Sequence, residues 1–347
     1  MTFIFERKTD MISSAEIKNY DLYSDYTPLM RYKEGTDFLE WQKAARKKLA
    51  ELLGMEQYKP CDPMFNIEHR IETEEYVEYR FTIQSEENYF VPCVMRIPNG
   101  KETGKQPLML CLQGHSTGMH ISLANPKYPG DEETISGGDR DFVVRSVKEG
   151  YVAVAIEQRA FGECKGNEDL PRGCYLTSMT AMLTGRSTLG ERVWDVMRVI
   201  DAILANFDFI DTDKICLMGN SGGGTATYYT CCLDERISLC MPSCAVCSWD
   251  MSVSVKRHCA CNYVPYLGKY FDLGDFGGMI APRKLIIVHG LTDVGFYKPG
   301  VDKCYALVEK AYEVAGVPKN CYLVTGPDGH RFYADLSWPI VHEMMGV

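Results

Sequence analysis

Apolar positions along the chain fall into three regimes. From Phe38 to Gly54 they recur with helical spacing, and the segment ends on a glycine, a common helix stop. From Phe65 to Ile97 the period drops to two, as in Tyr76–Ile83 and Tyr89–Ile97, which predicts antiparallel strands. Beyond the turn-forming Pro98-Asn99-Gly100, short and nearly unbroken apolar runs appear at Pro107–Leu112, Tyr151–Ile156, Lys214–Met218, Lys284–Val288 and Cys321–Val324. Runs of this kind suit strands buried on both faces of a parallel sheet.

Helical segments separate those strands. Val193, Val196, Met197, Ile200, Ile203, Leu204 and Phe207 share one apolar face, so they are core residues of a covering helix. A later helix is predicted from about Lys303 to Ala315, where Gly316 and then Pro318 stop it. Alternation of strand and helix to the end of the chain predicts an α/β fold with a mostly parallel central sheet flanked by helices. Residues 1–60 read as a helical N-terminal extension, and residues 61–347 as one compact domain. The long loop 113–141, rich in Gly, Pro and charge, is expected to border a site.

Composition narrows the partners. A net charge of -10 argues against a nucleic-acid backbone or an anionic membrane, both of which need clustered Lys and Arg. The opening residues reach Glu6, Arg7 and Lys8 before an apolar core of signal-peptide length can form, so a cytoplasmic protein is expected. The 15 cysteines lie mostly within apolar runs, which fits a reducing compartment. Their densest group, Cys240, Cys244, Cys247, His258, Cys259 and Cys261, contains a Cys-x-x-Cys spacing but no second well-spaced ligand pair, so these side chains read as small buried hydrophobes and no metal is expected.

One segment carries chemistry. Gly219-Asn220-Ser221-Gly222-Gly223-Gly224 follows an apolar strand and precedes a helix-compatible stretch, the setting that a Gly-x-Ser-x-Gly nucleophile elbow requires. A phosphate loop is disfavoured because no Lys-Ser or Lys-Thr pair follows the glycines, and the glycine spacing of a dinucleotide site is not met. A serine nucleophile needs a base and an orienting acid, and in α/β-hydrolases both come later in the chain, acid before base. Asp293 follows the strand 284–288, and His330 follows the strand 321–324. Among rival bases, His289 precedes the acid and His342 falls in a predicted C-terminal helix; Asp302 and Asp328 are the rival acids. For the oxyanion, the backbone N–H groups of Gly222 and His115 are the candidate donors. Gln113, Arg159 and Glu163 also follow strand ends and are candidate pocket residues, although an arginine there serves equally well to pair a neighbouring carboxylate.

Taken together, Glu157-Gln158-Arg159-Ala160-Phe161-Gly162-Glu163, Leu189-Gly190-Glu191-Arg192-Val193-Trp194-Asp195, the elbow, Ile280-Ala281-Pro282-Arg283 and Gly329-His330-Arg331-Phe332-Tyr333 resemble the α/β-hydrolases related to acetyl xylan esterases and dienelactone hydrolases. The resemblance implies an α/β-hydrolase fold and a Ser221-His330-Asp293 triad without a cofactor. It also implies hydrolysis of a small-molecule ester, in particular deacetylation of small carbohydrates. A prolyl-oligopeptidase-like peptidase and a non-catalytic binding protein on the same fold are the alternatives, and self-association is left open.

Overall fold

The computed structural model describes residues 14–24, 26–166 and 174–346. Among the described residues, nine strands form one sheet: β1 (Asn66–Glu72), β2 (Tyr76–Glu86), β3 (Tyr89–Pro98), β4 (Gln106–Leu112), β5 (Val152–Ile156), β6 (Ile210–Asn220), β7 (Ile237–Ser243), β8 (Lys284–Gly290) and β9 (Cys321–Gly326). Their spatial order is β1-β2-β3-β5-β4-β6-β7-β8-β9. The first three strands and β5 pair antiparallel, and every pair from β5 to β9 is parallel.

Period-two geometry splits the parallel strands between two cores. Leu108, Leu110, Ile215, Leu217, Leu285 and Ile287 face one side; Met109, Cys111, Cys216, Met218, Ile286 and Val288 face the other. The first core is closed by the helices Phe38–Leu53, Thr188–Asn206, Gly222–Leu233, Leu273–Ile280 and Lys298–Val314, through residues such as Leu49, Ile200, Tyr229, Phe276 and Val308. The second is closed by Phe142–Lys148 and Ala334–Met345, through Phe142, Trp338 and Val341. Full burial of a Leu side chain contributes about 1.5–3 kcal/mol. Leu49 and Leu53 are fully buried, so the helix 38–53 is integral to the larger core. Asp37 caps its start by accepting from Glu40 N at 3.0 Å, and Gly54 ends it at φ 73°.

Three elements differ from the sequence expectation. The strand β7 has no counterpart in the predicted set, and β6 begins four residues before the apolar run because Ile210 already pairs with Gln106. The helix expected from Lys303 begins at Lys298, with Pro299 in its first turn, where a proline removes no intrahelical hydrogen bond. The loop 113–141 contains a short 3-10 segment, Met119–Leu123, and a helix, Asp131–Gly138. Among the described residues, no helix is long and apolar enough to cross a membrane.

Candidate active site

The carboxyl ends of β4, β6, β8 and β9 converge on one region. At the end of β6, Ser221 occupies φ 56°, ψ -121°, a conformation that costs a non-glycine residue free energy and persists only where the surroundings enforce it. Here they do so from both sides: Ser221 N donates to Ser243 O of β7 at 2.8 Å, and Thr225 N donates to Ser221 O at 2.8 Å. Gly222 is the first residue of the helix 222–233, so its N–H lies among the donors that a helix start leaves unpaired. A Cβ on Gly222 would stand 2.8 Å from His115 Nδ1, and one on Gly114 would stand 2.8 Å from Ser221 Cβ. The loop after β4 is therefore pressed directly against the elbow.

Asp293 and His330 sit on turns tied to one another, with Leu291 N donating to Gly326 O at 2.9 Å and Thr292 N to Asp328 O at 2.9 Å. Asp293 is buried, and its Oδ2 lies 2.7 Å from His330 Nδ1. Its Oδ1 accepts from Gly295 N at 2.7 Å and Phe296 N at 3.3 Å. Burial alone would raise the Asp293 pKa, but the hydrogen bond and charge of His330, with the Gly295 N–H, hold it below the usual carboxylate range. Phe296 stacks on the His330 ring at 5.8 Å and 12°. With Nδ1 engaged by Asp293, Nε2 is the ring nitrogen of His330 that remains. Ser221 and His330 line one cavity of about 400 Å³, without a direct hydrogen bond between them among the described residues.

The rival histidines and acids lie elsewhere. His289 is buried at the end of β8, where burial pushes its pKa down to about 4 and neither ring nitrogen has a partner. His342 pairs with Glu149 at 2.6 Å on the C-terminal helix. Asp302 pairs with Lys298, and Asp328 projects toward solvent near Arg331.

Around Ser221 the same cavity is lined by His115, Gly222 and Thr225, and by a segment the sequence reading did not place at the site: Lys256, Arg257, His258, Cys259 and Asn262. A basic Lys-Arg-His triple in a chain of net charge -10 was the available signal. His258 packs edge-on against Phe296 at 5.2 Å, and burial lowers its pKa, so it supports the ring that supports His330.

A second cavity of about 850 Å³ shares His115 as its border and is lined by Ser116, Thr117, His120, Tyr128, Phe161 and Glu163, among others. Glu163 is thus on a cavity wall, held by Arg80 through Nη2 at 2.5 Å. Beneath this wall the buried Glu157 accepts from Met119 N at 3.1 Å and Glu163 N at 3.3 Å, and burial pushes its pKa up to about 7. Gln113 and Arg159 line neither cavity. Gln113 is buried, donating to Ser122 Oγ and Arg140 O at 2.7 Å each and accepting from Arg140 Nε at 2.8 Å. Arg159 turns inward to Asp195 at 2.7 Å and Glu86 at 2.5 Å, with its guanidinium over the Tyr89 ring. Both therefore correct the pocket expectation: their polar heads are taken up by buried partners.

Comparison with known proteins agrees with this architecture. The chain is 28% identical over 209 residues to the Bacillus subtilis protein named "Putative hydrolase YtaP", covering 58% of this chain and 68% of that protein. A Bacteroides fragilis structure described as a "putative acetyl xylan esterase" superposes with a TM-score of 0.78 at 21% identity, covering 92% of this chain and 84% of the other. A glucuronoyl esterase from Solibacter usitatus superposes with a TM-score of 0.64 at 16% identity, covering 91% and 97%. At such identities the structural likeness speaks for the fold. Residues 7–327 match the Abhydrolase family, and the chain, with its α/β-hydrolase fold, belongs to that family.

Proposed function

We propose that the protein is a serine esterase that removes short acyl groups, acetyl above all, from small carbohydrates. In this reading Ser221 Oγ attacks the ester carbonyl carbon as His330 Nε2 takes its proton, and Asp293 steadies the imidazolium. The oxyanion rests on the N–H groups of Gly222 and His115. Collapse of the intermediate expels the alcohol, which leaves with the proton from His330. Water, deprotonated by the same histidine, then attacks the acyl-enzyme, and the carboxylic acid departs as Ser221 recovers its proton.

The observation that carries this reading is the Asp293–His330 pair at 2.7 Å on the wall of the cavity that also holds the strained Ser221. The substrate class draws support from the larger cavity beyond His115, whose hydroxyl, imidazole and carboxylate lining suits a polyhydroxylated leaving group, with the exposed Tyr128 offering a face for a sugar ring. Esterases of carbohydrates among the structural neighbours point the same way. A panel of acetylated mono- and oligosaccharides, aryl esters of increasing acyl length, lactones and aminoacyl-proline amides tests it. Turnover of the acetyl sugars, abolished in Ser221→Ala, is expected; turnover confined to the prolyl amides would replace the esterase reading with a peptidase.

A further inference from the structure

Three distant stretches of chain meet behind His115. Cys174 opens the helix Cys174–Leu183, Cys259 and Cys261 flank the start of a short 3-10 segment, and His115 stands on the loop after β4. The imidazole and the three sulfurs offer ligand atoms that all lie within 4.8 Å of one another, and His115 Nε2 is 3.3 Å from Cys261 Sγ. We propose that His115, Cys174, Cys259 and Cys261 form a closed tetrahedral site for a divalent metal ion of the zinc type.

The donor set is one that structural zinc sites use, and the spacing fits. Zinc–sulfur bonds of about 2.3 Å place tetrahedral ligand atoms about 3.8 Å apart, a small inward adjustment from the observed cluster. All three sulfurs are free thiols, so none is committed to another cross-link.

Charge supplies an independent argument. Arg192 is buried, with 1% of its surface exposed. Its guanidinium lies over the Phe161 ring and donates to Arg159 O at 2.9 Å and to Cys174 Sγ at 3.3 Å, while Nη1 has no hydrogen-bond partner. Among the described residues, no carboxylate pairs with it. A buried guanidinium without a counter-charge is costly. Three thiolates, a neutral imidazole and a divalent ion sum to one negative charge, which the adjacent Arg192 balances. Binding releases the three thiol protons to solvent, and four protein ligands leave no coordination position for water.

The consequence is mechanical. With Nε2 on the metal, Nδ1 of His115 remains beside Gly222, and the ion clasps the loop that carries the candidate oxyanion donor to the segment 256–262 that walls the Ser221 cavity. The signal was hidden in the sequence because Cys174 and His115 are remote from the 240–261 cysteine group, and Cys240, Cys244 and Cys247 of that group are held elsewhere, against Thr227, Arg331 and Met251.

The test reads metal directly and so stands apart from the esterase reading. Reduced full-length chain, stripped with a chelator and titrated with zinc, is expected to take up one equivalent. Cobalt(II) in its place is expected to show intense thiolate-to-metal charge-transfer bands and tetrahedral d–d bands. Loss of outer-shell partners alone weakens metal sites about 10–100-fold, so Cys174→Ser and Cys259→Ser, checked for folding by circular dichroism, are expected to weaken zinc binding at least ~100-fold, with Cys61→Ser unchanged. Three results would each overturn the proposal: no uptake by the folded wild-type chain, uptake indifferent to both serine variants, or a disulfide joining Cys174 to Cys259 or Cys261 in protein isolated with its thiols blocked.

Discussion

Asp293 holds His330 through one oxygen, at 2.7 Å from Nδ1, and its own loop through the other, which accepts from the Gly295 and Phe296 N–H groups. The two duties can be separated by mutation. Asp293→Asn keeps a carbonyl oxygen for the loop but loses the charge and favours the wrong histidine tautomer. Its kcat is expected to fall about a thousand- to ten-thousand-fold with the thermal midpoint little changed. A parallel collapse of the thermal midpoint would show that Asp293 is structural first.

Backbone strain at the elbow makes a second prediction. Ser221 sits at φ 56° with its amide and carbonyl both locked. Ser221→Ala and Ser221→Gly should both be inactive, but the glycine variant should be the more stable of the two by about 1 kcal/mol, since it alone is released from the conformational cost. Equal denaturant midpoints would show that the turn stores no strain.

Gly222→Ala tests the oxyanion arrangement. The new methyl group would press on His115 at 2.8 Å from Nδ1 and displace one candidate donor from the other. A loss of about 100- to 1000-fold in kcat with KM nearly constant is expected, as for removal of one oxyanion donor. A change in KM alone would assign the contact to substrate binding.

The fold and the placement of these side chains are legible in the sequence, for physical reasons. Ser221, Asp293 and His330 each follow an apolar strand, and the order of strands in the sheet brings their carboxyl ends together, so local pattern carried global position. What escaped depended on tertiary pairing. The strand β7 is interrupted by Ser238 and Pro242 and reads as strand only once β6 and β8 flank it. Gln113 and Arg159 stand at strand ends as pocket residues would, yet Arg140 and Asp195, which absorb them, are remote in sequence. The pocket segment 256–262 has no periodicity to read.

Glu157 makes stability depend on pH. Its carboxyl titrates at about 7 in the folded chain, against 4.5 ordinarily, so between those values the folded state holds a proton that the unfolded state releases. Stability from this group is therefore lost as pH rises through that window, by up to about 3 kcal/mol. In Glu157→Gln, denaturant midpoints measured at about pH 5 and about pH 8 should differ less than in the wild type. An unchanged difference would mean that other groups set the slope.

The claim that Ser221 is an activated nucleophile is tested most directly by reaction with a fluorophosphonate, read by intact mass and peptide mapping. One adduct per chain is expected, located on Ser221, absent from Ser221→Ala and slowed severely in Asp293→Asn. Folded wild-type protein that stays unlabelled, or that carries its adduct on another residue, would contradict the account.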